Sequence, residues 1–208
     1  MRLTTSQLRR LVISPRQFVA SALALPSVTQ QYGNPQRQWM EAAWRAYFRS
    51  HRDPKQLWDA FYEKAVTAGG TPRRQALASG AEPMLDVFLR WDAKEPTSPA
   101  DWFPPTRDVP WQGHVLAVKR DLLYVAKEGH RVRQLWSDTA LRATHRDAGI
   151  MAAAALICAE SDLGLGRIKT IDVWQLRHQD QRSWTRDSLL EDVDRLHDLL
   201  DRVAAELP

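Results

Sequence analysis

Apolar side chains recur at three- and four-residue intervals through the first 93 residues, which is the spacing of amphipathic helices. Asn34-Pro35 and Asp53-Pro54 each combine a capping residue with a proline for the first turn, so helices are predicted to start there. Thr5-Ser6 predicts a shorter helix that ends at Ser14-Pro15. The predicted apolar faces contain Leu8, Leu11, Trp39, Met40, Ala43, Tyr47, Phe48, Leu57, Trp58, Phe61, Tyr62, Ala65, Val66, Leu77, Met84, Leu85, Phe88 and Trp91.

The pattern changes to alternation between Trp111 and Asp138. Apolar residues at every second position are typical of half-buried strands, and the steps Arg120-Asp121 and Gly129-His130 are predicted to be turns. The stretch therefore predicts a meander of three short, neighbouring strands. The alternating positions are Val115, Ala117, Leu122, Tyr124 and Ala126.

The remaining residues predict one helix, a pair of strands and a closing helix. The first helix lies between Thr139 and Glu160, and a strand over Arg167–Arg177 has Gln181–Thr185 as its hairpin partner. Ser188 and Glu191 have the spacing of a capping box, so the closing helix is predicted to start there. Leu189, Leu190, Val193, Leu196, Leu199, Leu200 and Val203 then recur at helical spacing.

These elements predict an α/β (α+β) fold with a central mixed β-sheet flanked by helices. The sheet is expected from residues 111–136 and 167–185. Residues 1–93 form the helical N-terminal half, residues 94–110 a proline-rich connection, and residues 111–208 the α/β core. We expect one compact domain overall.

Composition narrows the class of protein. No apolar run reaches the roughly 20 residues that span a membrane, and the N-terminus lacks the features of a signal peptide. The one cysteine, Cys158, lies in an apolar run and is expected in the core, so no disulfide framework is possible. We therefore expect a soluble, cytoplasmic protein with no membrane partner.

Charge and aromatic content leave two interpretations open. The net charge is +4, and arginine supplies 23 of the 29 cations. Arginine suits bidentate phosphate contacts, but a GC-rich genome gives the same bias. Nine tryptophans could stack nucleic-acid bases, although burial in the core is their more frequent use. The histidines lack metal-ligand spacing, and His114, His130, His145 and His178 are expected at the surface or near it.

The order of elements resembles the RecB-type nuclease domain of the PD-(D/E)XK superfamily. The opening LTTSQLRRLVISPRQFVASAL is similar to that family's first segment, and IDVWQLRHQDQRSW with the closing helix is similar to its tail. After its first segment, the family has a helix that contains a glycine, a histidine and a Leu-Glu pair. Gly33, Arg37, Met40 and Glu41 stand at those spacings here, with arginine in place of histidine.

The resemblance breaks down at the catalytic acids. The family's Gly-x-x-Asp is matched by Gly113, but Leu116 occupies the acidic position. Its Asp-x-Lys would fall at Val125-Ala126-Lys127, which keeps the lysine and loses the acid. Its helical Gln and Tyr would fall near Arg146-Asp147 and Ile150, and neither is present.

The resemblance implies chemistry that these residues do not support. Such nucleases need two carboxylates on a hard cation, usually Mg²⁺, and leucine and valine cannot bind one. Lys127 and Glu41 would be the remnants of the catalytic set, with no metal site and no cofactor. An active enzyme would need relocated acids, for which Glu41, Asp121, Glu128 and Asp138 are the candidates. A plain helical ion pair between Arg37 and Glu41 is the simpler explanation of their spacing.

The resemblance therefore implies a catalytically inactive nuclease-like protein with a restriction-endonuclease-like core. It would bind DNA, or scaffold a DNA repair, recombination, mobile-element or phage-defence complex with protein partners. The alternatives are a protein–protein interaction module and, third, a metal-dependent nuclease with relocated acids. If DNA is the partner, we expect Arg37, Lys127, Arg131 and Arg133 to line one basic concavity that contacts phosphates.

Overall fold

The computed structural model of the chain describes residues 1–23, 35–67, 69–137, 143–164 and 166–206. Within these ranges the chain forms seven α-helices, and none of the seven has both the length and the apolar composition of a membrane-spanning helix. They are α1 (Thr5–Ile13), α2 (Pro15–Leu23), α3 (Pro35–Arg49), α4 (Pro54–Thr67), α5 (Pro72–Asp92), α6 (His145–Leu163) and α7 (Leu190–Glu206). The prolines predicted to open α3 and α4 do so, and Asp53 accepts a hydrogen bond from the Lys55 backbone N–H at 2.9 Å.

The strands form two mixed sheets. They are β1 (Arg2–Thr4), β2 (Asp101–Trp102), β3 (Val109–Trp111), β4 (His114–Ala117), β5 (Leu122–Tyr124), β6 (His130–Trp136), β7 (Ile168–Gln175) and β8 (Asp180–Thr185). One sheet has the order β1-β4-β3 and the other β2-β5-β6-β7-β8. The parallel pair β6 and β7 is joined through α6, whereas β5/β6 and β7/β8 are antiparallel. The mixed α/β class and the β7/β8 hairpin are confirmed.

The five-stranded sheet separates two apolar clusters because side chains alternate between its faces. Val132, Trp136 and Ile171 face the cluster that contains residues of α1, α6 and α7. Leu135 and Trp174 face the other, which contains residues of α3, α4 and α5. The helices of residues 1–93 therefore lie on both faces of this sheet.

The predicted core residues are largely buried. Trp39, Met40 and Trp44 of α3 are at most 6% exposed, so Trp39 and Trp44 serve the core rather than base stacking. Cys158 is buried as predicted, and burial raises the pKa of its thiol to about 11. The exceptions are Tyr62 and Val66 on α4, Leu190 on α7, and Ala126 after β5, all of which are exposed.

The prediction that Gly113–Arg120 and Leu122–Glu128 form neighbouring strands is wrong. The chain does not turn at Arg120-Asp121, because this segment continues alongside β6: the Asp121 N–H donates to the Arg133 carbonyl at 3.1 Å. The Gln134 side chain likewise donates to the Lys119 carbonyl at 3.2 Å. β4 instead lies between β1 and β3, in the smaller sheet. The reverse turn falls between β5 and β6.

Two further predictions about element boundaries are corrected, and one strand is added. The N-terminal half, predicted to be almost entirely helical, also contains β1, which pairs with β4 in parallel. The proline-rich connection is not merely a linker, because it contains β2 and most of β3. The Ser188/Glu191 capping box is absent: a short 3-10 turn, Asp187–Leu189, precedes α7, and the Ser188 hydroxyl donates to the Thr185 carbonyl at 2.8 Å.

Candidate functional site

Five charged residues meet where α3 packs against the segment between β4 and β5. We call Arg37, Glu41, Arg45, Lys119 and Asp121 the α3 ionic cluster. The Arg37 guanidinium donates to Asp121 Oδ1 and to the Leu135 carbonyl, and it lies 5.0 Å above the ring of Trp44. Only 19% of the Arg37 side chain and 5% of the Asp121 side chain are exposed, so this pair is largely withdrawn from solvent.

Glu41 forms the second pair of acid and base in the cluster. Lys119 Nζ lies 2.6 Å from Glu41 Oε2, and Arg45 Nη2 lies 2.9 Å from Oε1. Burial raises the pKa of Glu41, but the hydrogen bonds from Lys119 and Arg45 outweigh burial and hold the pKa below its usual value. Glu41 is therefore a stabilised carboxylate. The predicted helical ion pair of Arg37 with Glu41 is wrong, because Arg45 is the i,i+4 partner.

Asp121 is the most deeply buried acid of the cluster. Both its oxygens accept hydrogen bonds, one from Arg37 and one from the Leu135 backbone N–H at 2.6 Å. Burial raises the pKa of this carboxyl group, and the Arg37 guanidinium opposes that rise. The site thus depends on Arg37: without it, the buried acid would lose its hydrogen-bonded cation and keep only the more distant charge of Lys119.

The arrangement decides what the two carboxylates can do. Of the relocated-acid candidates within the described residues, Glu41 and Asp121 are the two that the structure brings into one cluster, and cations or a backbone N–H already occupy their oxygens. A divalent ion would have to displace Arg37 and Lys119 or bind against their like charge. Among the residues that the structure describes, no group of three or more His, Cys, Asp and Glu could hold a metal ion. The cluster is built from internal ion pairs.

A second ionic group lies beneath β6. We call Glu95, Tyr124, Arg131, Arg133 and Asp172 the β6 arginine network. Arg133 donates to Glu95 at 2.6 Å, to Asp172 at 3.0 Å and to the Tyr124 hydroxyl at 2.9 Å. Arg131 pairs with Glu95 and lies 3.6 Å from Asp172. Both arginines therefore hold the start of the 94–110 segment on the sheet.

The predicted basic concavity is wrong. Arg131 and Arg133 share a strand face as expected, but the Arg133 side chain is 1% exposed, so it has no access to a phosphate. Arg37 belongs to the α3 ionic cluster instead. Lys127 is exposed in the β5–β6 turn, away from any strand, so the placing of an Asp-x-Lys strand motif at Val125–Lys127 is also wrong. Arg131 is 32% exposed, and phosphate binding by Lys127 and Arg131 stays a prediction.

The other residues matched to the nuclease motifs, or considered as relocated acids, lie in turns, in the core or at a helix cap where the structure describes them. Gly113 has a positive φ of 75° in the turn between β3 and β4, and Leu116 is fully buried. Asp147 caps α6 reciprocally with Thr144. Glu128 is exposed in the β5–β6 turn. Gly33 and Asp138 lie outside the described residues.

Sequence reasoning missed the partners that organise both ionic groups. Lys119 and Arg45 complete the α3 ionic cluster, and Glu95 and Asp172 complete the β6 arginine network. Only the i,i+4 spacing of Glu41 and Arg45 is a local signal. Lys119 stands 78 residues from Glu41 and has no such signal.

No protein-family model matches this chain, and no curated protein matches its sequence. The resemblance to RecB-type nucleases therefore rests on the order of motifs in the sequence.

Proposed function

We propose that the chain is a catalytically inactive nuclease-like protein that binds the DNA backbone without a metal ion, with a restriction-endonuclease-like core. The observation that carries the proposal is the α3 ionic cluster. Glu41 lies in it, at the position where the resemblance implies a family acid. Arg37 stands where the resemblance implies a histidine. If the resemblance holds, cations of the protein take the place that a hydrated metal would need, which supports the proposal.

Electrostatics favours phosphate binding over cleavage in such a protein. Hydrolysis needs a bound cation that polarises the phosphate and activates water. Backbone binding needs only lysine and arginine, because the released counterions supply the free energy. Leu116, buried where the resemblance expects an acid, adds no negative charge that would repel a phosphate.

Equilibrium binding tests the proposal directly. Fluorescence anisotropy with labelled single- and double-stranded DNA is measured over a range of salt, once with EDTA and once with Mg²⁺ or Mn²⁺. We expect the same Kd with and without metal, a linear fall of log affinity with log salt, and intact DNA afterwards. Absence of binding at low salt would contradict the proposal.

Cleavage would support the third function, a nuclease with relocated acids. Metal-dependent cutting that disappears in Glu41→Gln or Asp121→Asn, but persists in the exposed-acid control Glu63→Gln, would replace our proposal by that one. Circular dichroism of each variant separates loss of activity from loss of fold.

The second candidate is a protein-interaction module, and one surface favours it. On α4, Trp58 stacks on Tyr62 with ring centroids 5.8 Å apart, Tyr62 is 45% exposed and Val66 is 74% exposed. These residues are four apart and form one apolar stripe on a helix. A folded protein that fails to bind DNA would favour this candidate. Sedimentation of Val66→Ser, with exposed Val125→Ser as the control, checks whether the stripe joins two copies.

A further inference from the structure

Three exposed cations come together at the end of the larger sheet where β6 and β7 begin. Lys127 lies in the β5–β6 turn, Arg167 precedes β7, and Lys169 is its second residue. The turn and the start of β7 are joined directly, because the His130 N–H donates to the Arg167 carbonyl at 2.8 Å. We call Lys127, Arg167 and Lys169 the hairpin-end patch.

A bulge and a glycine place Lys169 at this turn. The register pairs His130 with Ile168 and Arg131 with Thr170, so Lys169 is the extra residue on β7. Bulges redirect a side chain relative to a regular strand. Gly129 has a φ of 137°, and a Cβ atom there would lie 2.1 Å from Lys169 Cγ. The stem of Lys169 therefore lies across the turn in space that only glycine leaves open.

The patch differs from the α3 ionic cluster and the β6 arginine network because its charges are not neutralised within the described residues: none of its three cations forms an ion pair there. Nearby acids are already engaged. Glu160 accepts hydrogen bonds from Arg186 and from the Gly166 N–H, both at 2.8 Å. Glu128 is the one acid of the 125–129 turn.

We infer that the hairpin-end patch is the surface that contacts backbone phosphates of DNA. This inference rests on the proposed function and names its surface. Exposed cations that have no acid partner contact phosphates without first breaking an ion pair, and each phosphate that they neutralise releases counterions condensed on the DNA, which drives binding. The contacts reach only phosphates and are independent of base sequence.

A charge-matched pair of variants tests the surface. The patch variant is Lys127→Ala/Arg167→Ala/Lys169→Ala. The control, Lys55→Ala/Lys64→Ala/Arg73→Ala, removes two lysines and one arginine that are likewise exposed, from α4 and the first turn of α5. Both variants have the same net charge, so any difference in DNA affinity reports location.

We expect the patch variant to lose affinity and salt dependence, with the log–log slope falling by about 0.9 for each phosphate contact removed. The control is expected to keep the wild-type slope. Arg167 Nε also lies 3.7 Å from the position of a Cβ on Gly164 at the end of α6, where a cation stabilises the helix. Lys127→Ala/Lys169→Ala leaves that contact intact, and we expect it to lose about two thirds of the effect on the slope.

Two outcomes would overturn the inference while leaving the proposed function in place. Equal losses in the patch and control variants would show that net charge alone acts. An unchanged slope in the patch variant would place the DNA surface elsewhere, and weakened binding to poly-glutamate in that same variant would assign the patch to an acidic protein segment. Failure of the wild-type protein to bind DNA at all would instead overturn the proposed function.

Discussion

The α3 ionic cluster and the hairpin-end patch both gather cations around β5 and β6, but they differ in burial and in pairing. Arg37 is 19% exposed, and its partner Asp121 is 5% exposed. Lys127 and Lys169 are exposed and form no ion pair within the described residues. Burial of a charge is costly unless a partner and hydrogen bonds compensate for it, whereas an exposed charge is solvated by water. The buried charges of the α3 ionic cluster are therefore paired, whereas the exposed charges of the hairpin-end patch need no partner.

The comparison shows why cation content does not reveal a binding surface. Arg133 and Lys127 stand six residues apart in the same hairpin and looked equivalent as phosphate ligands. Arg133 points beneath the sheet, where it lies 3.6 Å from the ring centroid of Trp174 and pairs with Asp172. Arg133 therefore stabilises the fold, whereas Lys127 is exposed and forms no ion pair within the described residues. Variants of each kind should separate stability from binding.

The largest effect is expected for Arg133→Met, which removes the cation of the β6 arginine network and leaves Glu95 and Asp172 with Arg131 alone. Breaking a buried ion pair by removing one partner costs about 3–5 kcal/mol. Urea unfolding should show a fall of that size in the free energy of unfolding. The exposed control Arg73→Met should change it by less than about 0.5 kcal/mol. An equal effect in both variants would contradict the assigned role.

The next effect concerns the pair of Arg37 and Asp121. Arg37→Met leaves Asp121 Oδ1 buried without its hydrogen-bond donor, so we expect a loss of about 2–4 kcal/mol in the free energy of unfolding. Arg37→Met/Asp121→Asn removes both charges and should recover part of that loss, as a double-mutant cycle with Asp121→Asn measures. Strict additivity of the two single changes would show that the pair is not coupled.

Acid should weaken the contacts of Glu95. Burial raises its pKa, but the charges and hydrogen bonds of Arg133 and Arg131 hold the pKa below its usual value. The unfolded chain therefore takes up the proton first as pH falls, and this stability is lost between the unfolded and the folded pKa. Glu95→Gln has no carboxyl group to protonate at this position, so its stability lacks this dependence on pH. We expect it to be less stable than the wild type by about 1 kcal/mol at neutral pH, since Glu95 keeps some solvent contact.

The same measurement over pH provides the check. The stabilities of wild type and Glu95→Gln, from urea unfolding, should converge as pH falls from neutral to below the usual pKa of a glutamate, because protonation of the wild-type carboxyl progressively removes its charge. A constant difference across this range would mean that the charge of Glu95 does not contribute.

The fold was predictable where its signals are local. Proline at Pro35 and Pro54 fixes two helix starts, and alternation marks the strands β6 and β7. The division into two sheets was not predictable, because β1 pairs with β4 over more than a hundred residues of sequence. Polar hydrogen bonds at Lys119 and Asp121, rather than a turn residue, decide that this segment stays beside β6.

The site was less predictable than the fold for the same reason. Arg37 and Glu41 were identified on α3, but Arg37 takes its acid from a position 84 residues away. The direction of a strand side chain follows from period-two alternation, so Arg131 and Arg133 were correctly placed on one face. Which face was covered depends on where Glu95 and α5 pack, and no local pattern of the sequence specifies that.

The smallest effect on stability is expected at the hairpin-end patch, which makes it the sharpest contrast to Arg133. Lys127→Ala removes a side chain that forms no ion pair within the described residues, so the free energy of unfolding should stay within about 0.5 kcal/mol of the wild-type value. Under the proposed function, the same change should reduce the slope of DNA affinity against salt by about 0.9. Urea unfolding and anisotropy on one preparation measure both quantities. A variant that unfolds more easily but keeps its salt slope would make Lys127 a structural residue, as Arg133 is.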